Sequence, residues 1–262
     1  MTADDLADVL FIPDQFMDYR MWSDIPDRLG GRARAVHFDQ HAQIPWTAGN
    51  GEFLDAAGRL AAGGSFPVVV AAGQAARFAF ALAEAGMAKG LVFFGASLDR
   101  IPDDTDPDLF SAVDWDQTLD PYLPIVSALD EPDPDRRRDI LLRVLRDTVD
   151  ADAEPEQLAL AVAMMSDHSE ELFSHLRASA TAGTDGQLPP EPPWIQRPWF
   201  DRLAELTVPV TAVGAGLSAS AIARQARDAE IIEAAGGGLL PSPAAGRASA
   251  AEAILRMLDR LS

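Results

Sequence analysis

The sequence lacks cysteine and has almost no lysine. With no cysteine among its 262 residues, disulfides, a thiolate nucleophile and cysteine-ligated metals are excluded. Lys89 is the only lysine, so 20 of the 21 basic residues are arginine. Together with the abundance of alanine, glycine and proline, this pattern indicates a high-GC bacterial genome.

Long apolar runs and positive charge are also scarce. No run approaches the roughly 20 apolar residues of a membrane span, and the acidic start, with Asp4 and Asp5, does not resemble a signal peptide. The net charge of −20 opposes nucleic-acid binding, which needs a basic surface. We therefore expect a cytoplasmic protein with neither a membrane nor a nucleic-acid partner, and the sequence leaves its oligomeric state open.

Strand-like and helix-like segments alternate at both ends of the chain. Alternation of this kind predicts an α/β fold with a mostly parallel, doubly wound sheet. Between the two ends the strand pattern stops, and three helical segments follow a stretch rich in aspartate and proline. We expect residues 1–96 and 199–262 to form the sheet core and residues 97–198 to form a helical cap.

Residues 68–83 form the stretch around which the chain is organised. A β-branched run is followed by Gly73 and then by an alanine-rich helix pattern. A buried strand that turns sharply into a helix is the geometry of a nucleophile elbow. Glycine tolerates the backbone of such a corner but has no side chain to react. The alternative is an ordinary strand–helix turn in which the glycine only ends the strand.

Several short motifs follow one another in the order of a known family. Ile12-Pro13-Asp14 follows the first strand, Met21-Trp22 follows at the spacing of a loop tryptophan, Phe38-Asp39 ends the second strand, and residues 199–213 form a helix and a Val-Pro strand. With these motifs the chain resembles the α/β-hydrolase family over nearly its whole length. The resemblance implies an α/β-hydrolase fold with a cap.

The same resemblance assigns positions to the catalytic triad. The nucleophile falls on Gly73, the acid on Leu217 and the histidine on Leu239. None of these residues can act in a relay that needs a nucleophile, a base and an orienting acid. Asp14 stands where the family has a glycine of its oxyanion turn, and a carboxylate there would repel an oxyanion. The backbone N–H of Gln74 could still donate to a substrate carbonyl.

Other residues are candidates for the wall of a substrate pocket. Each also has a structural interpretation: a solvated loop for the first group and packing within the cap or linker for the second. The first group is Asp14, Gln15 and His41, of which His41 is the best candidate base; the second is Phe110, Met164, Met165 and Trp194. His168 and His175 share a helix face, but they have no third ligand, so we expect neither a metal nor a cofactor.

Three functions fit this pattern. The missing triad, the size and the composition are similar to those of the atypical α/β-hydrolase-fold epimerases of bottromycin biosynthesis. That likeness implies epimerisation of an aspartyl α-carbon beside a thiazoline in a modified ribosomal peptide, an antibiotic precursor, with the substrate's own carboxylate as the base. The second possibility is a carrier that binds an apolar peptide without turnover. The third is a divergent hydrolase that uses Ser97.

Overall fold

The computed structural model describes residues 6–14, 17–39, 43, 50–61, 64–96, 127–148, 155–170, 199–214, 217–234 and 244–262. The chain divides into two compact units, one formed by Met1–Asp99 with Pro192–Ser262 and the other by Arg100–Glu191. Among the described helices, none combines the length and the apolar character needed to cross a membrane.

The first unit contains six strands with helices between them. The strands are β1 (Ala7–Ile12), β2 (Ala33–His37), β3 (Phe66–Ala72), β4 (Ala88–Phe94), β5 (Val210–Val213) and β6 (Ala229–Ile232). The helices are α1 (Ile25–Arg28), α2 (Asn50–Leu60), α3 (Ala76–Glu84), α6 (Trp199–Arg202), α7 (Leu217–Gln225) and α8 (Ala244–Leu261), with 3-10 turns at Tyr19–Trp22, Gly73–Ala75 and Leu203–Glu205.

All six strands lie parallel in one sheet, in the order β2-β1-β3-β4-β5-β6. The predicted doubly wound parallel sheet is therefore confirmed. The order changes direction between β1 and β3, because the chain moves outward to β2 on one side and to β4 on the other. Open α/β sheets bind their ligands in the crevice beyond the carboxyl ends of the strands at such a point.

Both faces of the sheet are covered. On one face, Leu10, Val69 and Leu91 belong to a buried cluster that also holds side chains of α2, α3, α6 and α7. On the other, Val9 and Val70 are buried, and α8 packs along β3, β4 and β5. This double burial explains why the strands appear in the sequence as continuous apolar runs and not as alternating patterns.

Gly90 in β4 lets α8 approach the sheet closely. A Cβ at this position would lie 2.6 Å from Sδ of Met257 and 2.9 Å from its Cγ. We expect Gly90→Ala to lower the free energy of unfolding by about 1–3 kcal/mol, the usual cost of overpacking. Urea unfolding monitored by circular dichroism would measure the loss.

Gly58 provides the matched control for that substitution. It lies inside α2, where a Cβ would meet only Cε of Met87, at 3.5 Å. Gly58→Ala should raise the free energy of unfolding by up to about 1 kcal/mol, since alanine is the better helix former. The two changes in the free energy of unfolding need not be equal in size. A rise for Gly90→Ala would contradict the close approach of α8.

The second unit contains α4 (Pro134–Thr148) and α5 (Pro155–Asp167), which pack against each other. Arg136 pairs with Glu131 at 3.2 Å, and the Arg137 guanidinium donates to the hydroxyl of the buried Ser169. Arg136 and Arg137, near the start of α4, therefore have partners within their own unit.

Candidate active site

Strand β3 turns into α3 through a sharp corner at Gly73. The strand ends at Ala72, Gly73–Ala75 form one 3-10 turn, and α3 begins at Ala76. Gly73 has φ +52°, a left-handed conformation that residues with a Cβ rarely adopt. The strand–corner–helix predicted at residue 73 is confirmed, and glycine suits the backbone that the corner requires.

The sheet register brings Asp14 beside this corner. Ile12 of β1 pairs with Ala71 of β3. The chain positions two residues further on, Asp14 and Gly73, therefore leave the sheet next to each other. The Asp14 side chain turns toward the corner and is only 8% exposed.

The Asp14 carboxylate occupies the space that a side chain at position 73 would need. A Cβ built on Gly73 would lie 2.7 Å from Oδ1 of Asp14, and closer still to Cγ and Oδ2. Real Cβ atoms essentially never come within 3.0 Å of such neighbours. A serine or other nucleophile at the corner is thus incompatible with Asp14 in its present place.

The backbone N–H of Gln74 is also engaged by Asp14. The sequence leaves this group able to donate to a substrate carbonyl, but in the structure it donates to Oδ1 of Asp14 at 3.1 Å. The reason is the register, which the sequence does not display: the carboxylate reaches the N–H that follows the corner. The donor that an α/β-hydrolase would offer to an oxyanion therefore already holds an anion of this chain.

Arg77 adds positive charge to this corner from the first turn of α3. That turn contains no acidic residue, although the start of a helix favours negative charge. Burial lowers the pKa of Arg77 to about 10, and the nearby charge of Asp14 opposes that shift. Arg77 is therefore still a cation at neutral pH, and Asp14 supplies negative charge to this end of the helix.

The loop after β1 holds the Asp14 backbone in place. The Asp14 carbonyl accepts the N–H of Met17 at 2.9 Å, and the Asp14 N–H points to Sδ of Met21 at 3.3 Å. Trp22, the loop tryptophan noted in the sequence, is fully buried and packs edge-on against Phe11 with ring centroids 5.3 Å apart. The loop is thus anchored by apolar contacts on both sides of its turn.

His37, the last residue of β2, is a half-buried ionisable group that the sequence did not single out. Its ring lies 5.6 Å from Phe11 and 5.7 Å from Tyr19. Its Nδ1 atom is buried with no hydrogen-bond partner within the described part of the chain. Burial lowers the pKa of His37 below its ordinary 6.5.

The pH dependence of stability should reveal His37. Because folding lowers its pKa, the unfolded chain binds more protons below about pH 6.5, so the free energy of unfolding falls as the pH drops through that range. His37→Phe keeps a ring and removes the titration, so it should lose less stability than the wild type between pH 7 and pH 5. Urea unfolding of both proteins at each pH would measure this, and identical losses would contradict it.

The structure describes only some of the remaining predicted site residues. Gln15, His41, Ser97, Phe110, His175, Trp194 and Leu239 lie outside the described residues. Leu217 is the first residue of α7, directly beyond the carboxyl end of β5. Met164 and Met165 are fully buried in α5. Their assignment to a substrate pocket, and that of residues 97–198 to a cap, stay predictions.

The described residues hold no group of three or more histidine, aspartate or glutamate side chains arranged to bind a metal ion. Asp14 and Arg77 are charged groups at the carboxyl edge of β1 and β3.

Comparison with solved structures identifies the fold of this chain. No protein-family model matches the chain, and no curated protein matches its sequence. Solved structures do match: an esterase from Thermogutta terrifontis has a TM-score of 0.66 and 16% identity over 97% of this chain and 90% of its own. A loop variant of a haloalkane dehalogenase from Bradyrhizobium elkanii has a TM-score of 0.61 and 16% identity over 98% and 90%.

An enol-lactonase from Burkholderia xenovorans is similar at a TM-score of 0.58 and 12% identity, over 98% of this chain and 91% of its own. These neighbours are α/β-hydrolase-fold enzymes, and identities this low carry the fold alone. Together with the six parallel strands and the corner at Gly73, they show that this chain has the α/β-hydrolase fold.

Proposed function

We propose that the chain is a non-hydrolytic enzyme that transfers a proton at carbon. Its substrate would be a small modified peptide, and its reaction the epimerisation of an aspartyl α-carbon beside a thiazoline. The observation that carries the proposal is the Asp14 carboxylate in the place of the nucleophile at Gly73. The substrate class comes from the resemblance to the epimerases of bottromycin biosynthesis.

Acyl transfer does not fit this corner. It requires an attacking side chain and donors that receive the negative charge of a tetrahedral intermediate. Gly73 has no side chain, and the N–H of Gln74 already donates to Asp14. An oxyanion placed near that N–H would also meet the negative charge of the carboxylate.

Proton transfer at carbon fits the same groups. A C=N bond next to the α-carbon makes its proton acidic, so a carboxylate held close to it is a sufficient base. The corner offers the Asp14 carboxylate and the neighbouring Arg77 cation. The solved structures that share the fold are enzymes, which supports a catalytic over a purely structural role.

A second candidate function is binding without turnover. A corner with glycine at the position of the nucleophile, Gly73, also suits a site that encloses an apolar peptide and leaves it unchanged. A carrier of this kind would bind the peptide as tightly as an enzyme does, so affinity alone does not separate the two functions.

Deuterium incorporation separates them. A synthetic peptide with an L-aspartyl residue next to a thiazoline is incubated with the wild-type protein in deuterated water. We expect a mass increase of one unit at the aspartyl α-position and the appearance of the D-epimer, well above the rate without protein. A peptide with an amide in place of the thiazoline is the control and should not exchange.

Binding of the peptide with exchange no faster than in buffer would favour the carrier. The divergent hydrolase is tested in parallel with a fluorophosphonate probe, which labels activated serines. Labelling at Ser97 together with cleavage of a nitrophenyl ester would refute the non-hydrolytic proposal.

A further inference from the structure

We propose that Asp14 is the catalytic base of this site, presented from the end of β1 at the point where the corner of β3 would otherwise present a nucleophile. The inference rests on the proton-transfer function above. It assigns the role of the base to a group of the protein and not to the substrate's own carboxylate, which the family resemblance implies.

The Asp14 carboxylate lies at the position of a reacting side chain. Of the atoms near a Cβ built on Gly73, Oδ2 of Asp14 is the nearest. A carboxylate oxygen therefore stands where an elbow would hold the first atom of its reacting side chain. Because Gly73 has no side chain, it leaves room for this carboxylate. Its φ of +52° allows the sharp corner.

A hydrogen bond orients the Asp14 carboxylate. Oδ1 accepts the N–H of Gln74 at 3.1 Å, which fixes the rotation of the carboxylate and directs Oδ2 toward the space above Gly73. The backbone of Asp14 is held in turn through Met17 and Met21. A base held in one geometry gains from proximity what a carboxylate lacks in basicity.

The surrounding charge favours a carboxylate at this position. The half-buried Arg77 guanidinium is attracted to Asp14, and the N–H of Gln74 also favours the ionised carboxylate. A substrate carboxylate brought to the same point would be repelled by Asp14 at close range. The corner therefore supplies one negative group of its own and disfavours a second.

In the proposed step, a proton leaves one face of the α-carbon and another is added to the opposite face. The bond from the α-carbon to hydrogen breaks, Oδ2 of Asp14 takes the proton, and the electron pair moves into the adjacent C=N system. A water molecule then gives a proton to the opposite face of the α-carbon, and the resulting hydroxide recovers the proton from Asp14. The carbon is inverted and nothing is consumed.

Asp14→Asn is the direct test, because asparagine keeps the shape and still offers an oxygen to the N–H of Gln74. We expect α-deuterium exchange of the aspartyl-thiazoline peptide to fall by about 10³-fold, while its dissociation constant changes little. Asp8→Asn is the matched control: Asp8 lies on the same strand and pairs with Arg34 at 2.6 Å, remote from the corner, and its loss should leave exchange unchanged.

A second variant covers the case in which Asp14→Asn folds poorly. Asp14→Ala opens a space for a small carboxylate, and formate added to this variant should restore exchange in proportion to its concentration. A merely structural Asp14 would not give rescue of turnover by formate. Equal formate effects on the wild type and on Asp14→Ala would overturn the inference.

The outcomes separate this inference from the proposed function. Exchange by the wild type that is lost in Asp14→Asn supports both. Exchange at the wild-type rate in Asp14→Asn overturns the role of Asp14 and leaves the function standing, with the substrate's carboxylate as the base. A wild type that binds the peptide without exchange overturns both.

Discussion

Gly73→Ser will place a hydroxyl at the corner without producing a hydrolase, and it will lower the free energy of unfolding by about 2–4 kcal/mol. A residue with a Cβ at φ +52° costs about 1 kcal/mol or more. The contact with the Asp14 carboxylate adds about 1–3 kcal/mol for overpacking. Urea unfolding measures the loss, and a nitrophenyl ester assay should show no turnover above buffer.

Gly86 is the matched control for this substitution. It has φ +72°, and a Cβ there would meet nothing within 4 Å. Gly86→Ser therefore carries only the backbone cost, about 1 kcal/mol. The excess loss of Gly73→Ser over Gly86→Ser reports the collision with Asp14, and equal losses would mean that the carboxylate does not occupy this space.

The second large effect is expected for Arg77→Met, with a loss of about 2–3 kcal/mol. Methionine keeps the apolar stem but removes the positive charge that lies near the buried Asp14 carboxylate, and removing one partner of a buried pair of opposite charges is destabilising. The expected loss is below the usual range for a buried pair because the N–H of Gln74 still supports the carboxylate. Thermal and urea unfolding would measure the change.

Arg202→Met is its control. Both arginines lie over a phenylalanine ring, Arg77 at 4.6 Å from that of Phe78 and Arg202 at 5.4 Å from that of Phe80. Arg202 instead pairs with the partly exposed Glu84, so its replacement should cost less than about 1 kcal/mol. Adding Asp14→Asn should recover part of the loss in Arg77→Met and nothing in Arg202→Met.

The sheet was predictable because its strands are apolar on both faces. The β-branched run before Gly73 predicts a buried strand, and the alanine-rich pattern after it predicts a helix that packs closely on the sheet. The helix expected at residues 199–206 proved to be four helical residues followed by a 3-10 turn. Its apolar side chains, including Trp199 and Leu203, are nevertheless buried in the predicted layer.

The position of the Asp14 side chain beside Gly73 could not be predicted in the same way. It depends on the register of β1 against β3, which pairs Ile12 with Ala71 and is set by tertiary packing, not by either segment alone. The sequence did contain a signal. Asp14 stands where the related fold has glycine, and Gly73 stands where it has serine, so the two departures compensate each other in volume.

The claim on which the account rests is that Asp14 fills the place of the missing nucleophile. A double-mutant cycle with Asp14→Gly and Gly73→Ala measures it directly, since the alanine Cβ collides with the carboxylate only when both are present. We predict that the double variant is more stable than the sum of the single effects by about 1–3 kcal/mol. Additivity to within about 0.5 kcal/mol would contradict the claim.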